Sequence, residues 1–283
     1  MIRIKGHSNF KLTVLKEFKN GRPLIRKSSI SPPDSLRLIS QCNKQSLFSE
    51  NFSKEIGSPR VMYRGDVKGN FYFDMEYLPH SEFLNFLIEK PITEITRSIN
   101  IILSFIDDCI RTSSLYVVNG DTFLKKSKNI KNNLQNNRWV SSKNYKKICS
   151  ILDKSIEVCL KEPIPVGYCH GDLTMSNILF SNKKIIFIDF LDNFIESPLQ
   201  DIVKLRQDTK HFWSLRLFDS PVDETKLKIV LSHIDSQIQD RFSCYNFYRN
   251  LYSPFQSISL IRVAQYAKSS NTVDYIINCL ESP

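Results

Sequence analysis

Two runs of strand-forming residues, Asn177–Phe180 and Lys184–Phe190, stand inside a stretch of chain whose apolar residues otherwise recur every three or four positions. Placed around Ser181-Asn182, they read as a β-hairpin, and a hairpin brings its outer ends together. Those ends carry Asn177 and Asp189, while the loop entering the hairpin, His170 to Ser176, carries Asp172. An acid that follows four apolar strand residues calls for a partner or a metal, because a lone buried carboxylate is costly.

The rest of the chain frames this island. Up to residue 77 the texture is β. "FKLTVLKEF" and "PLIRKSSI" flank Asn20-Gly21, a strong hairpin signal, and "RVMYRGDVKGNFYFDMEYL" reads as a second strand pair turning at Lys68-Gly69-Asn70. Between them "SPPDSLRLISQCNKQSLFSENF" reads as a helix of weak amphipathicity. After residue 78 the pattern becomes helical. Ile92, Ile95, Ile99, Ile102, Ile106 and Ile110 form one stripe, and the segments around residues 144–160, 198–218, 222–242 and 257–268 continue the helical texture. The expected fold is therefore α+β in two lobes, 1–77 a small β-rich lobe with one helix and 78–283 a larger, mostly helical lobe carrying the short hairpin.

Composition narrows the function. With 283 residues, 41% hydrophobic and 24% charged, the chain suits a globular protein. The seven cysteines are scattered and never form C-x-x-C, so neither a zinc site nor a disulfide framework is signalled. The start lacks the apolar core of a signal peptide, and no apolar run approaches the length of a bilayer span. A cytoplasmic location is the expectation. The net charge of +10 is concentrated locally: Lys125, Lys126, Lys128, Lys131, Arg138, Lys143, Lys146 and Lys147 fall between residues 122 and 152, without one acid. Such a run reads first as a solvated face, and second as an attractor for an anionic small molecule, glycan or membrane surface. Nucleic acid is not expected, since no zinc-finger spacing or aromatic RNA-binding motif accompanies the charge.

The island has a chemistry of its own. An amide oxygen at Asn177 and a carboxylate at Asp189 are hard ligands suited to Mg²⁺, which prefers one or two carboxylates completed by phosphate and water. Asp172, kept off the metal, suits a general base toward an attacking hydroxyl. Phosphoryl transfer needs little beyond this positioning and positive charge.

"HGDLTMSNILF" followed by "IDF" resembles the H-G-D-x-x-x-x-N and I-D-F signature of the aminoglycoside phosphotransferase and choline kinase-like family, relatives of protein kinases. The resemblance implies a two-lobed kinase fold using ATP and Mg²⁺, with Asp172 as catalytic base, His170 bracing its loop, and Asn177 and Asp189 as metal ligands. It places Asp201 of "SPLQDIVKLRQD" as a support of the catalytic loop. In "LIRKSS" it picks Lys27, with Arg26 as alternative, to reach the ATP phosphates, and in "MEYL" it assigns Glu76 and Tyr77 to the adenine hinge. Two departures stand out. The phosphate-covering loop "KGHSNFKL" offers only Gly6, leaving Ser8 and Asn9 to help, and the helix after the strand lysine has no acid in its body. Gln41, Gln45, Asp34 or Glu50 are the candidates to replace it.

The expected activity is ATP- and Mg²⁺-dependent transfer of the γ-phosphate to a hydroxyl of a small, neutral or anionic acceptor, a sugar or saccharide intermediate in surface-polysaccharide metabolism. The alternatives are an aminoglycoside or choline-type amino-alcohol kinase, a nucleotide-binding module without turnover, and a protein kinase. Peripheral contact through residues 125–147 and the oligomeric state are left open.

Overall fold

In the computed structural model of the protein, residues 2–4, 10–15, 23–51, 55–181, 184–217 and 223–282 are described. From the N-terminus they form β1 (Ile2–Ile4), β2 (Phe10–Leu15), β3 (Leu24–Ser29), α1 (Pro32–Asn51), β4 (Ile56–Gly57), β5 (Val61–Val67), β6 (Asn70–Glu76), β7 (Ser81–Glu82), α2 (Phe83–Glu89) and α3 (Ile92–Arg111). There follow β8 (Ser114–Tyr116), α4 (Gly120–Gln135), α5 (Ser142–Cys159), β9 (Ile164–Val166), a 3-10 turn at Met175–Asn177, β10 (Ile178–Ser181) and β11 (Lys184–Phe187). The remainder is helical: α6 (Pro198–Thr209), a 3-10 turn at Ser214–Leu217, α7 (Glu224–Phe242), α8 (Asn246–Ala264) and α9 (Ser270–Glu281). The mixed α+β class expected from the sequence is the one observed. Its contacts group Met1–Ile102 with Met175–Asp192 as one unit, and Leu103–Thr174 with Asn193–Pro283 as another. The hairpin thus packs with the N-terminal elements, although it follows residue 78 in the chain.

In the first unit an antiparallel sheet runs in the order β1-β2-β3-β6-β5. β5 and β6 join through Lys68 and Gly69, both at positive φ (55° and 81°), as a tight two-residue hairpin turn demands. Helix α1 covers the sheet, and Leu38 and Cys42 close a core with Phe10, Ile25, Phe73 and Met75. The weak amphipathicity of α1 has a physical reason. Gln41, Lys44 and Gln45 are buried alongside Leu38, Cys42 and Phe48, and each has a partner. The hairpin sits in a second sheet, β4-β11-β10-β7, with β4 parallel to β11. Phe180 of β10 stacks on Phe86 of α2 at 3.7 Å, and Phe48 packs on Phe187 and Phe190.

The second unit is built on helices. Helix α3 is divided at Ile102, its first part belonging to the first unit, and its isoleucine stripe is buried from Ile95 to Ile110, whereas Ile92 is exposed. Helix α6 is buried almost throughout, and its Arg206 forms an ion pair with Asp235 of α7 while donating to the Tyr248 hydroxyl of α8. Helix α8 continues through Pro254, and β8 pairs antiparallel with β9. No helix among the described residues is long and apolar enough to cross a membrane.

Candidate functional site

The residues singled out by the sequence fall into two groups, one in each unit. In the first unit β3 is buried on alternate positions, so its two basic residues face opposite ways. Lys27 points inward and is 3% exposed, while Arg26 points outward, forms a two-pronged pair with Asp74 (2.7 and 2.8 Å) and lies over the Tyr72 ring. The Lys27 ammonium donates to Gln41 Oε1 of α1 at 2.8 Å and to Asp189 Oδ1 at 2.9 Å. Gln41 thus takes the position of the missing helix acid. Gln45 instead donates to the Pro59 carbonyl, and Asp34 accepts from Ser31 at the start of α1. Lys44, buried one turn beyond Gln41, donates to the Leu191 carbonyl just past Asp189.

The hairpin register pairs Ile178 with Phe187, and the Ile188 amide donates to the Asn177 carbonyl at 3.1 Å. Asn177 therefore lies opposite the residue preceding Asp189. Asn177 is buried, and Asp189 is 39% exposed with its backbone at φ 61°. An amide oxygen and a carboxylate brought together this way fit a hard cation such as Mg²⁺ that also takes phosphate oxygens. Among the described residues no three His, Cys, Asp or Glu side chains gather as a metal site by themselves.

Glu76 ends β6. Its amide donates to the Arg60 carbonyl and its carboxylate accepts from the Arg60 amide. The Tyr77 amide donates to the Pro23 carbonyl, and its ring is exposed. Both amides of this segment are thereby committed within the chain. Ser8 and Asn9, with Gly6, lie outside the described residues, as do Asn20-Gly21 and Asn182.

In the second unit the loop around Asp172 is held by carboxylates. Asp201, 1% exposed in the first turn of α6, accepts the His170 amide at 2.6 Å and the Gly171 amide at 2.7 Å. Ser197 caps that helix, and Pro198 opens it where no amide is needed. Gly171 takes φ 92°, a conformation that side-chain-bearing residues rarely adopt. The Asp172 amide donates to His170 Nδ1, and the Asp172 carbonyl accepts from the Thr174 amide. From the other side Asn193 donates its side-chain amide to the Gly171 carbonyl at 2.7 Å, and is itself fixed by Glu196, which also accepts from Cys169.

Lys204 sits one turn after Asp201 on α6, so both face the same loop. Its ammonium lies 3.1 Å from Asp172 Oδ1. Burial alone would push the Asp172 carboxyl up, but the charge and hydrogen bond of Lys204, with a further contribution from Arg262, hold it below the usual carboxylate range. The carboxylate is therefore ionised at neutral pH and ready to accept. Lys204, Asn193 and Arg262 had not been singled out from the sequence. Only Lys204 left a signal there, three positions after Asp201 at helical spacing.

The basic stretch divides. Lys131 pairs with Asp153 and Lys147 with Glu281, while Lys125 and Lys128 are exposed.

A β-rich unit with a buried strand lysine and a hairpin-borne Asn and Asp, and a helical unit with a carboxylate-braced H-G-D loop, are the parts of the protein kinase-like fold. The model of the phosphotransferase enzyme family (APH) matches residues 118–225. Solved structures extend the likeness across nearly the whole chain. The gentamicin-APH(2")-IIa complex is 15% identical with a TM-score of 0.59, covering 97% of this chain and 88% of that one. An ethanolamine kinase of Plasmodium vivax is 15% identical with a TM-score of 0.55, covering 99% and 80%. A glucosamine kinase is 12% identical with a TM-score of 0.56, covering 96% and 80%. No curated protein sequence matches the chain significantly. The match over residues 118–225 is to a phosphotransferase family, and the likeness to these solved structures is one of fold.

Proposed function

We propose that the protein transfers the γ-phosphate of ATP to a hydroxyl of a small, sugar-like acceptor. The observation that carries this reading is Lys27: a buried strand ammonium is held by the Gln41 amide and by the partly exposed Asp189 carboxylate, which sets a fixed cation beside the proposed Mg²⁺ ligand. Lys27 steers the ATP phosphates, and Asn177 and Asp189 would hold Mg²⁺, whose positive charge stabilises the phosphate oxygens. Asp172 accepts the hydrogen bond of the acceptor hydroxyl and receives its proton as the new oxygen–phosphorus bond forms. The bond between the γ-phosphorus and its bridging oxygen breaks, ADP leaves, and the proton passes on to water. A loose transition state asks little base strength, so a carboxylate held below its usual range suffices.

Adenine is assigned to the segment Glu76–Tyr77. Because both amides there are engaged, the ring meets the carbonyl side of that segment. The glucosamine kinase among the similar structures supports a sugar acceptor, and the ethanolamine kinase and gentamicin complex keep the amino-alcohol alternative in view. The test is ADP release over a panel of sugars, amino alcohols and phosphosugars. Turnover abolished by chelating Mg²⁺ is expected. Binding of ATP without turnover on any acceptor would leave a nucleotide-binding module instead.

A further inference from the structure

An open cavity of about 440 Å³ lies in the second unit, lined by the turn that follows α4 (residues 136–139) and by the chain leaving α8 (residues 265–267). Its size is within the range of small-molecule sites. Amides build its frame. Asn137 donates to the carbonyls of Gln265 (3.2 Å) and Ala267 (3.1 Å), and its Oδ1 accepts the Trp139 amide (2.9 Å). One side chain therefore ties the two walls together and sets the backbone that carries the indole. Asn133 donates to Gln265 Oε1 at 2.8 Å, and buried Gln265 donates back to the Arg262 carbonyl. With these bonds made, the cavity is formed before any ligand arrives, and binding costs little ordering. Other groups stand on this frame without such commitments. Trp139 is 37% exposed and Tyr266 71% exposed. The Arg138 guanidinium lies 4.7 Å from the Trp139 ring centroid, and among the described residues it makes no ion pair. The Asn136 side chain and the Tyr266 hydroxyl make no hydrogen bond among the described residues. Nor does any described carboxylate line the cavity.

The lining selects its occupant. An aromatic face, negative at its centre, attracts the C–H groups of a pyranose ring, which carries hydroxyls around its rim. Hydroxyls both donate and accept, as the Asn136 amide and the Tyr266 hydroxyl do, while Arg138 donates. A free anion would find a single guanidinium already lying against an indole, and a cation would find no carboxylate. A purely apolar molecule would strip water from the Asn136 amide without replacing it. We propose that this cavity binds one pyranose unit of a saccharide, with Trp139 and Tyr266 as platforms and Arg138 and Asn136 reaching its hydroxyls. The proposal goes beyond the phosphotransferase reading and does not depend on it. It gives Arg138 a role separate from the other bases of its stretch, of which Lys131 and Lys147 form surface ion pairs.

The chain has two tryptophans, so Trp213→Phe leaves Trp139 as its one indole reporter. The full chain carrying Trp213→Phe, free of nucleotide, is titrated with glucose, N-acetylglucosamine, glucuronate and maltose at millimolar concentrations, and with adenosine and inorganic phosphate beside them. A saturable blue shift of the Trp139 emission with at least one sugar, and none with adenosine or phosphate, is expected. Calorimetry on the otherwise wild-type chain then reads the variants with that sugar. Trp139→Ala should abolish detectable binding, and Tyr266→Ala, Asn136→Ala and Arg138→Ala should each weaken it roughly 3- to 10-fold. These three side chains are exposed, so an unchanged denaturation midpoint separates a lost contact from a lost fold. The absence of a saturable shift with all four sugars overturns the proposal. Saturation by adenosine or phosphate in their place overturns it too, as does sugar binding that Trp139→Ala and Tyr266→Ala leave unchanged. Because no nucleotide is present, these results stand apart from whether the protein transfers phosphate.

Discussion

The Lys27 end of the first unit and the His170–Asp172 loop of the second are secured by different physics. Lys27 is held side chain to side chain, by one neutral amide and one partly exposed carboxylate. The loop is held by a buried carboxylate gripping two backbone amides, which leaves it few alternative conformations. Both arrangements use charge-assisted bonds, but those to Asp201 fix backbone, whereas those of Lys27 hold the end of a flexible side chain. In the proposed reaction, precision is thus concentrated where a proton is received, and adjustability is left where phosphate arrives.

The sharpest way to break the contrast is at Asp172. Asp172→Asn should lower kcat roughly 10²–10⁴-fold with little change in ATP affinity, read from steady-state rates beside nucleotide titration. Next comes Asp201→Ala, which strands two buried amides at about 1–3 kcal/mol each. Lower kcat together with a lower denaturation midpoint is expected. A kcat unchanged within twofold would show that the loop does not depend on this brace. On the opposing side, Gln41→Ala removes one of the two Lys27 bonds and should raise the KM for ATP by roughly 3–10-fold with kcat nearly intact.

The smallest effect is in the pH profile. The Asp172 carboxyl lies below its usual range, so its acid limb in kcat/KM should lie at lower pH than that of an ordinary carboxylate. Any stability it contributes is present above the ordinary carboxylate value and lost as pH falls through the lowered one. Lys204→Met removes the main opposition to burial, leaving the smaller effects of His170 and Arg262, so the limb should move upward. A profile identical to wild type would remove Lys204 from the account.

What the sequence made legible follows the same divide. The H-G-D loop, Asn177 and Asp189 could be found because their chemistry is compressed into one short stretch of chain. The choice between Lys27 and Arg26 needed only the direction of one strand, which alternation leaves open and burial settles. Gln41 was one of four candidates because the buried face of α1 is partly polar, so periodicity could not orient it. Asn193 and Arg262 left no local signal, since they act through approaches between segments far apart in sequence. Helix α4 was obscured by its lysines and asparagines, and α8 by Pro254, which reads as a stop although the helix continues.

Asp189 sits with φ at 61°, where a side chain ordinarily crowds its own carbonyl. A replacement at that position therefore alters two things at once. Asparagine tolerates the left-handed turn and changes only the charge, whereas valine would add torsional conflict to a lost ligand. Whoever engineers an inactive form for trapping nucleotide should begin with Asp189→Asn, because only there does a missing signal speak for chemistry alone.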